Sequence, residues 1–225
     1  MAIELIFGMT ETGKSFCANK IRERYPKSIV FDPCHCFRSN DGLLYVDPNG
    51  EKFVSLFHKA LALKSYQIVV RPGAGKDVAC FRMLSHVVHF LGAVQGKYED
   101  QKQGTDRVLF VIDEADKICT ATWQPIELKM LTNYGRHFSI DMVAISRVPQ
   151  RIHIDLRANA SSIRSFFLQE GNSLDILKNF FNREGIEAIR KLKPHHHLLW
   201  RNTGKLFQIN PKGAAKEFFS MEGTE

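Results

Sequence analysis

The sequence predicts an α/β fold, in which a mostly parallel β-sheet carries helices on both faces and a β-hairpin follows near the C-terminus. The main observation is that short apolar runs alternate with helix-like stretches along most of the 225 residues. This alternation is typical of parallel sheets with crossover helices. A second observation is the turn sequence Arg201-Asn202-Thr203-Gly204. It lies between two apolar runs, and that arrangement predicts a closing hairpin.

The predicted strands are short apolar runs that stop at a turn-forming or polar residue, as buried parallel strands do. In chain order they are residues 3–7, which stop at Gly8, 28–31, which stop at Asp32-Pro33, 67–70, which stop at Arg71-Pro72-Gly73, 108–112, 142–145 and 163–168. The run at 108–112 is the most hydrophobic of them. The hairpin adds strands at 197–200 and 205–209.

The predicted helices lie between these strands. The strongest is residues 77–94, because apolar residues recur there at spacings of three and four and make one face: Cys80, Leu84, Val87, Val88 and Leu91. The others are residues 14–25, which end before Pro26, 53–63, 126–134, 174–181 and 186–191. Residues 95–106 are polar and contain glycine, so we expect a loop there.

Composition limits the class of protein. Hydrophobic residues make up 44% and charged residues 24%, as in ordinary globular proteins. No stretch approaches the ~18 uninterrupted apolar residues of a membrane span, and the first residues lack the basic region of a signal peptide. Five cysteines fit no disulfide framework, which favours reduced thiols in a cytosol. The single Cys34-x-Cys36 pattern does not favour zinc.

The chain is basic, with a net charge of +7 and an excess of lysine and arginine after residue 146. Such a balance favours an anionic partner. The length suits one large domain over residues 1–225. We expect its core at about 1–170 and the C-terminal helices and hairpin at about 171–225.

A phosphate-binding motif follows the first strand. Residues 8–15 match the P-loop or Walker A pattern G-x-x-x-x-G-K-S: Gly8, Met9, Thr10, Glu11, Thr12, Gly13, Lys14 and Ser15. The glycines allow a tight turn that points successive N–H groups at one anion. The next helix adds the partial positive charge of its N-terminus. We predict ATP binding, with Lys14 on the β- and γ-phosphates and Ser15 on Mg²⁺.

A second motif ends the most hydrophobic strand, where residues 108–112 lead into Asp113-Glu114. Ligands of parallel α/β sheets bind at the carboxyl ends of the strands, so both side chains belong to the edge that carries the P-loop. Asp113 is predicted to hold Mg²⁺, and Glu114 to polarise the attacking water. The pair argues against a small-molecule kinase or a GTPase, and the sequence has no convincing N-K-x-D motif.

Two other patterns have simpler interpretations. Gly73-Ala74-Gly75-Lys76 resembles a phosphate loop, but it is too short and lacks the hydroxyl residue. We interpret it as a glycine turn into the next helix. His195-His196-His197 has no acidic or cysteine partner close in sequence, so a polar strand start is favoured over a metal site.

A third region resembles the FtsK–HerA superfamily of DNA-pumping ATPases. It contains Gly135-Arg136 before a strand, the strand end Ile145-Ser146-Arg147, and then Arg157-Ala158-Asn159. The family pattern is Gly-Arg, a strand ending in Thr-Gln-Arg-Pro, and Arg-Ala-Asn. Asp32-Pro33 also matches, so the resemblance covers about residues 3–170. The short chain with its hairpin is most similar to the genome-packaging ATPases of tailless, internal-membrane viruses.

The resemblance implies a RecA/FtsK-like P-loop NTPase that assembles as a homo-oligomeric ring, with a hexamer as the expected form. Such a ring holds ATP at subunit boundaries and moves double-stranded DNA through its channel. Arg136 matches the family arginine that reaches the neighbouring subunit's γ-phosphate, so Lys14, Glu114 and Arg136 are the predicted catalytic residues. The resemblance also implies capsid-vertex or viral membrane proteins as partners, and a location in the host cytoplasm or the virion.

The sequence departs from the family at the strand end, where Ser146 replaces a glutamine that senses the γ-phosphate. Gln150 lies nearby and can substitute for it, or the sensor is absent. Two alternatives therefore stay open. One is a Zot-like morphogenesis ATPase of filamentous phages, which shares both Walker motifs but usually has a membrane span. The other is a nucleotide-gated scaffold with negligible turnover.

Overall fold

The computed structural model describes residues 2–37, 43–46, 55, 57, 59–60, 63–99 and 107–220. The strands within these residues are β1 (Ile3–Phe7), β2 (Lys27–Phe31), β3 (Leu43–Val46), β4 (Tyr66–Val70), β5 (Val108–Ile112), β6 (Ile140–Ser146), β7 (Ser162–Ser165), β8 (His197–Arg201), β9 (Lys205–Ile209) and β10 (Ala215–Ser220). They form a single sheet in the order β10-β9-β8-β7-β1-β6-β5-β2-β4-β3.

The sheet is mostly parallel, as predicted. All strands from β7 to β3 in that order pair in parallel. The predicted hairpin is also present, because β8 and β9 pair antiparallel and Gly204 between them adopts a left-handed φ of 78°. β8 joins the parallel strands through β7, so the C-terminal strands extend the same sheet.

The helices within the described residues are α1 (Lys14–Arg22), α2 (Asp77–Glu99), α3 (Ile126–Tyr134), α4 (Ile154–Ala158), α5 (Gly171–Leu177) and α6 (Arg183–Ile189). Short 3-10 helices occur at Ala115–Lys117, Gly135–Phe138 and Pro149–Arg151. No helix in these parts of the chain combines the length and the apolar character needed to cross a bilayer.

Helices cover both faces of the sheet. Side chains alternate along each strand, so each face carries buried apolar side chains that pack against helices. In β1, Leu5 and Phe7 belong to one buried cluster, together with α2, α3, α5 and α6. Ile6 belongs to a second cluster, in which α1 contributes Cys17, Ala18 and Ile21. The α/β fold class predicted from the alternation is therefore confirmed.

The structure differs from the predictions at several element ends. The strand predicted at 163–168 stops at Ser165, because the chain then leaves the ladder to run beside the P-loop. The loop predicted from residue 95 is wrong up to Glu99, because α2 continues through Gly96 to that residue. β3 and β10 were not predicted, and most of the helix predicted at 53–63 lies outside the described residues.

The order of the central strands positions the predicted site. β6 lies between β1 and β5, with Phe7 level with Ser146 and Ile112 level with Ala144. The residues that follow β1, β5 and β6 therefore emerge side by side at one edge of the sheet. We call this the carboxyl edge, and the opposite one the amino edge.

Candidate active site

The P-loop has the backbone that its glycines make possible. Gly13 has a φ of 107°, a left-handed value that L-residues avoid. A Cβ on Gly13 would lie 2.6 Å from His195 Nδ1, and one on Gly8 would lie 2.6 Å from the Cβ of Phe166. Both positions therefore exclude a side chain. Two backbone hydrogen bonds hold the loop from outside: Met9 N donates to Phe167 O at 3.1 Å, and His195 N donates to Thr12 O at 3.0 Å.

Lys14 begins α1 and is folded back onto the loop. Its ammonium donates to the carbonyl oxygen of Met9 at 2.7 Å, and the residue is only 9% exposed. Burial lowers the pKa of Lys14, while the nearby carboxylates of Glu114 and Asp113 act in the opposite direction. The ammonium thus lies close to both acidic residues of the second motif, where a phosphate can exchange for the carbonyl of Met9.

Asp113 has the unmet bonding capacity expected of a cation ligand. It is 3% exposed, and its Oδ2 has no hydrogen-bond partner among the described residues. Burial, together with Glu114 and Asp32, raises the pKa of Asp113 to about 7. A bound cation would provide a partner for the free Oδ2 and would stabilise the ionised form of the buried carboxylate. The carboxylate therefore fits Mg²⁺, with the half-buried Ser15 at the start of α1 as the other predicted ligand.

Asp32 is a neighbour of Asp113 whose role the sequence did not reveal. It follows β2, and its carboxylate, the thiol of Cys36 and the carboxylate of Asp113 offer ligand atoms within 4.8 Å of one another. Asp32 already accepts hydrogen bonds from Cys36 N at 2.8 Å and Phe37 N at 3.2 Å. It thus orders the loop after β2 and raises the negative charge around Asp113.

Glu114 is turned away from the strand by an unusual backbone conformation. Its φ of 48° is left-handed, which is uncommon for a residue with a side chain and recurs at functional sites. The carboxylate Oε2 lies 3.4 Å from Arg147 Nε. This oxygen is buried and makes no hydrogen bond within the described residues. Glu114 therefore lies beside Asp113, and its Oε2 remains available as a hydrogen-bond acceptor.

Ser146 and Gln150, the two candidates for the γ-phosphate sensor, are both engaged elsewhere. The Ser146 hydroxyl donates to Asp116 Oδ1 at 2.8 Å and accepts from Val148 N at 3.0 Å. The Gln150 amide donates to Glu170 Oε1 at 3.1 Å, and its carbonyl accepts from the Ser173 hydroxyl at 2.8 Å. Both side chains are thus held by neighbouring residues in this conformation.

Arg136 lies at the opposite edge of the sheet from the P-loop. It belongs to the 3-10 helix Gly135–Phe138, which precedes β6, and its side chain is outside the described set. β6 has seven residues and therefore spans about 23 Å at ~3.3 Å per residue. Arg136 is thus at the amino edge, while the Walker residues are at the carboxyl edge. It therefore lies far from the P-loop of its own chain.

The other two sequence patterns have structural explanations. Residues 73–76 form a turn, closed by Lys76 N donating to Gly73 O at 3.0 Å, which leads into α2 as predicted. His197 begins β8, where its Nε2 lies 2.8 Å from an Arg164 nitrogen. Burial and the charge of Arg164 lower the pKa of His197 to about 3. A ring that is packed against a guanidinium does not suit a cation, so the interpretation as a strand start holds.

A cleft of about 430 Å³ opens beside Gly13, between α1 and the C-terminal hairpin. Phe16 and His195 meet edge to face at its P-loop end, with ring centroids 6.1 Å apart. Five cations line it in the described part of the chain: Lys20, Arg24, Arg164, Arg201 and Lys212. The volume falls in the range of small-ligand pockets, and the rings at the P-loop end suit a nucleotide base.

No family model and no curated protein matches this sequence, but solved structures share its fold. The genome packaging NTPase B204 from Sulfolobus turreted icosahedral virus 2, in complex with AMPPCP, aligns with a TM-score of 0.66 at 14% identity over 98% of each chain. VirB4 of Thermoanaerobacter pseudethanolicus aligns with a TM-score of 0.56 at 11% identity, over 92% of this chain and 88% of that one.

The N-terminal domain of zonular occludens toxin from Neisseria meningitidis aligns over 98% of this chain and 95% of that one, at 11% identity and a TM-score of only 0.40. That likeness is too weak to argue from. B204 and VirB4 share the architecture predicted from the two Walker motifs and the region around Gly135-Arg136. The chain therefore shares the fold of B204 and VirB4.

Proposed function

We propose that the protein is an ATP-driven motor that translocates double-stranded DNA and packages a viral genome into a preformed capsid. The observation that carries the proposal is the convergence of Lys14, Asp113 and Glu114 at the carboxyl edge, where burial and mutual charge alter the pKa values of Lys14 and Asp113. B204 is a genome-packaging NTPase, and its fold matches this chain over nearly the whole length of both. That likeness supports a role in genome packaging.

The residues divide the work of hydrolysis as follows. The P-loop amides and Lys14, released from the carbonyl of Met9, hold the phosphates of ATP. Ser15 and Asp113 would hold Mg²⁺, which would supply Lewis-acid stabilisation of the phosphate charge. Glu114 orients a water molecule and accepts its proton as the water oxygen bonds to the γ-phosphorus. The bond from that phosphorus to the oxygen bridging the β- and γ-phosphates breaks, so ADP leaves and inorganic phosphate forms. The cleft beside Gly13 takes the base and ribose.

A ring of subunits explains where Arg136 lies. Head-to-tail contacts place one surface of a subunit against a different surface of the next, and rings form when the rotation closes. Such contacts can bring the amino edge of one subunit to the carboxyl edge of its neighbour. We propose a hexameric ring with DNA in its channel, which acts with capsid-vertex or membrane proteins in the host cytoplasm or the virion.

A specific observation keeps a second function in view. Both candidate sensors, Ser146 and Gln150, are tied to other side chains, and without a sensor the chain would bind ATP and hydrolyse it slowly. It would then be a nucleotide-gated scaffold. Turnover distinguishes the two functions.

The first prediction is that the protein hydrolyses ATP, faster with double-stranded DNA than without it, and that Lys14→Ala abolishes both binding and hydrolysis. The alanine removes the main side-chain counter-ion of the phosphates. The measurement is steady-state phosphate release with and without duplex DNA, together with nucleotide affinity. Wild-type turnover no faster than that of Lys14→Ala, despite tight ATP binding, would favour the scaffold. Normal binding by Lys14→Ala would refute the P-loop assignment.

The second prediction concerns DNA affinity. Contacts to the phosphate backbone release counter-ions, so affinity falls steeply with salt and does not depend on sequence. We expect a loss of roughly 10³-fold between 50 and 200 mM salt, the value for about six phosphate contacts. Titrations with two duplexes of equal length and unrelated sequence provide the matched comparison. Binding that ignores salt, or prefers one duplex, would contradict a channel that grips phosphates.

A further inference from the structure

Arg147 is a residue of the carboxyl edge that the Walker motifs do not include. It directly follows β6, the strand between β1 and β5. Since Phe7 is level with Ser146, Arg147 is level with Gly8 at the start of the P-loop. The register thus places this arginine between the phosphate loop and the acidic pair, on the same subunit as both.

The contacts of Arg147 agree with this placement. Its Nε lies 3.4 Å from Glu114 Oε2, and its charge contributes to the lowered pKa of Lys14. The guanidinium is therefore near the lysine that holds the terminal phosphates and near the carboxylate that activates water. The γ-phosphate of an ATP held by Lys14 and attacked by a water on Glu114 would lie near both groups, and so near Arg147.

The ion pair with Glu114 is easily exchanged. The Arg147 side chain is 48% exposed and can move, and it holds Glu114 only loosely: Nε lies 3.4 Å from Oε2, and that oxygen makes no hydrogen bond within the described residues. A γ-phosphate offers more negative charge and paired acceptor oxygens, which match the fork of a guanidinium. When ATP binds, Arg147 forms stronger interactions by moving from the Glu114 carboxylate to the γ-phosphate. Glu114 is then free to bind water.

We infer that Arg147 is the γ-phosphate contact of its own subunit, which exchanges Glu114 for the phosphate when ATP binds. The inference rests on the proposed binding of ATP at the P-loop. It supplies the sensor that neither Ser146 nor Gln150 provides in this structure, because both side chains are held by neighbouring residues. Arg147 acts within the subunit, whereas Arg136 is too far from its own P-loop to do so.

ADP distinguishes this role from a general effect on binding, because it lacks the γ-phosphate. Arg147→Ala should weaken binding of the non-hydrolysable analogue AMPPCP by about 10- to 100-fold, the range for a lost hydrogen bond to a charged group, and leave ADP affinity within about 2-fold. Calorimetry with Mg²⁺ measures both. Arg147→Lys keeps the charge but not the fork, so it should recover only part of the preference for AMPPCP.

Arg151→Ala is the matched control, since Arg151 is an exposed arginine four positions further on. It should change neither affinity. Retained ADP binding in Arg147→Ala shows that the variant is folded, and loss of both affinities in Lys14→Ala checks the P-loop separately. Wild-type protein that binds neither nucleotide would refute the proposed function itself.

Two results would overturn the inference while leaving the proposed function intact. One is an equal loss, or no loss, of AMPPCP and ADP affinity in Arg147→Ala. The other is faster turnover with an unchanged preference for AMPPCP, which would make Arg147 only a restraint on Glu114.

Discussion

Glu114→Gln is expected to bind ATP as the wild type does and to hydrolyse it at least ~10²-fold more slowly. The amide keeps the shape of the side chain but cannot accept a proton from water, and general base catalysis is worth about 10²–10⁴-fold. Binding is preserved because Lys14 and the loop amides hold the phosphates without Glu114. Nucleotide affinity and single-turnover hydrolysis, measured on the same preparation, separate the two effects.

Asp116→Asn is the matched control for Glu114→Gln. Asp116 is the next acidic residue after Glu114 along the chain, and it already accepts a hydrogen bond from the Ser146 hydroxyl at 2.8 Å. We expect a much smaller loss of turnover, since the asparagine oxygen can still accept that hydrogen bond. If Glu114→Gln keeps near-normal turnover while Asp116→Asn loses it, the base is Asp116 and not Glu114.

The central strands were predicted well because strands that are buried on both faces consist mostly of apolar residues. β1, β5 and β6 are covered on both faces, so β5 is an uninterrupted apolar run and β1 and β6 are mostly apolar. β10 was missed because it is the outermost strand of the sheet and, within the described residues, pairs with β9 alone. Its described side chains, Ala215 to Phe218, alternate little in polarity and are mostly exposed. Edge strands of that kind carry charges that weaken the pattern.

The site was predictable wherever the chemistry lies in consecutive residues. The P-loop and Asp113-Glu114 are local motifs, and each follows its own strand. The contacts between Asp32 and Asp113 and between Arg147 and Glu114 were not predictable, because they depend on which strands are neighbours. β6 enters the sheet between β1 and β5, and no local pattern encodes that order. The position of Arg136 at the amino edge, by contrast, follows from its place just before β6 in the chain.

The last prediction concerns Arg136, which the resemblance identifies as an arginine finger. Arg136→Ala should leave nucleotide affinity nearly intact and lower turnover by ~10³–10⁵, the range for such a finger. Affinity survives because the P-loop and Lys14 of one subunit hold the phosphates. Turnover falls because charge that develops on the γ-phosphoryl group loses its partner from the neighbouring subunit. Nucleotide titration and steady-state phosphate release test the two halves of the prediction.

Mixing two inactive variants tests whether the finger crosses a subunit boundary. An Arg136→Ala subunit has an intact P-loop and Glu114, and a Glu114→Gln subunit has an intact Arg136. Where the second lies beside the first in a mixed ring, one interface is complete, so the mixture should hydrolyse ATP faster than either parent. The double variant, with both changes in every subunit, should stay inactive at the same concentration. With co-assembly shown by mass measurement, a mixture as inactive as its parents would count against a finger in trans. Full activity of Arg136→Ala alone would exclude the finger in trans. A role at its own P-loop is already excluded by the distance along β6.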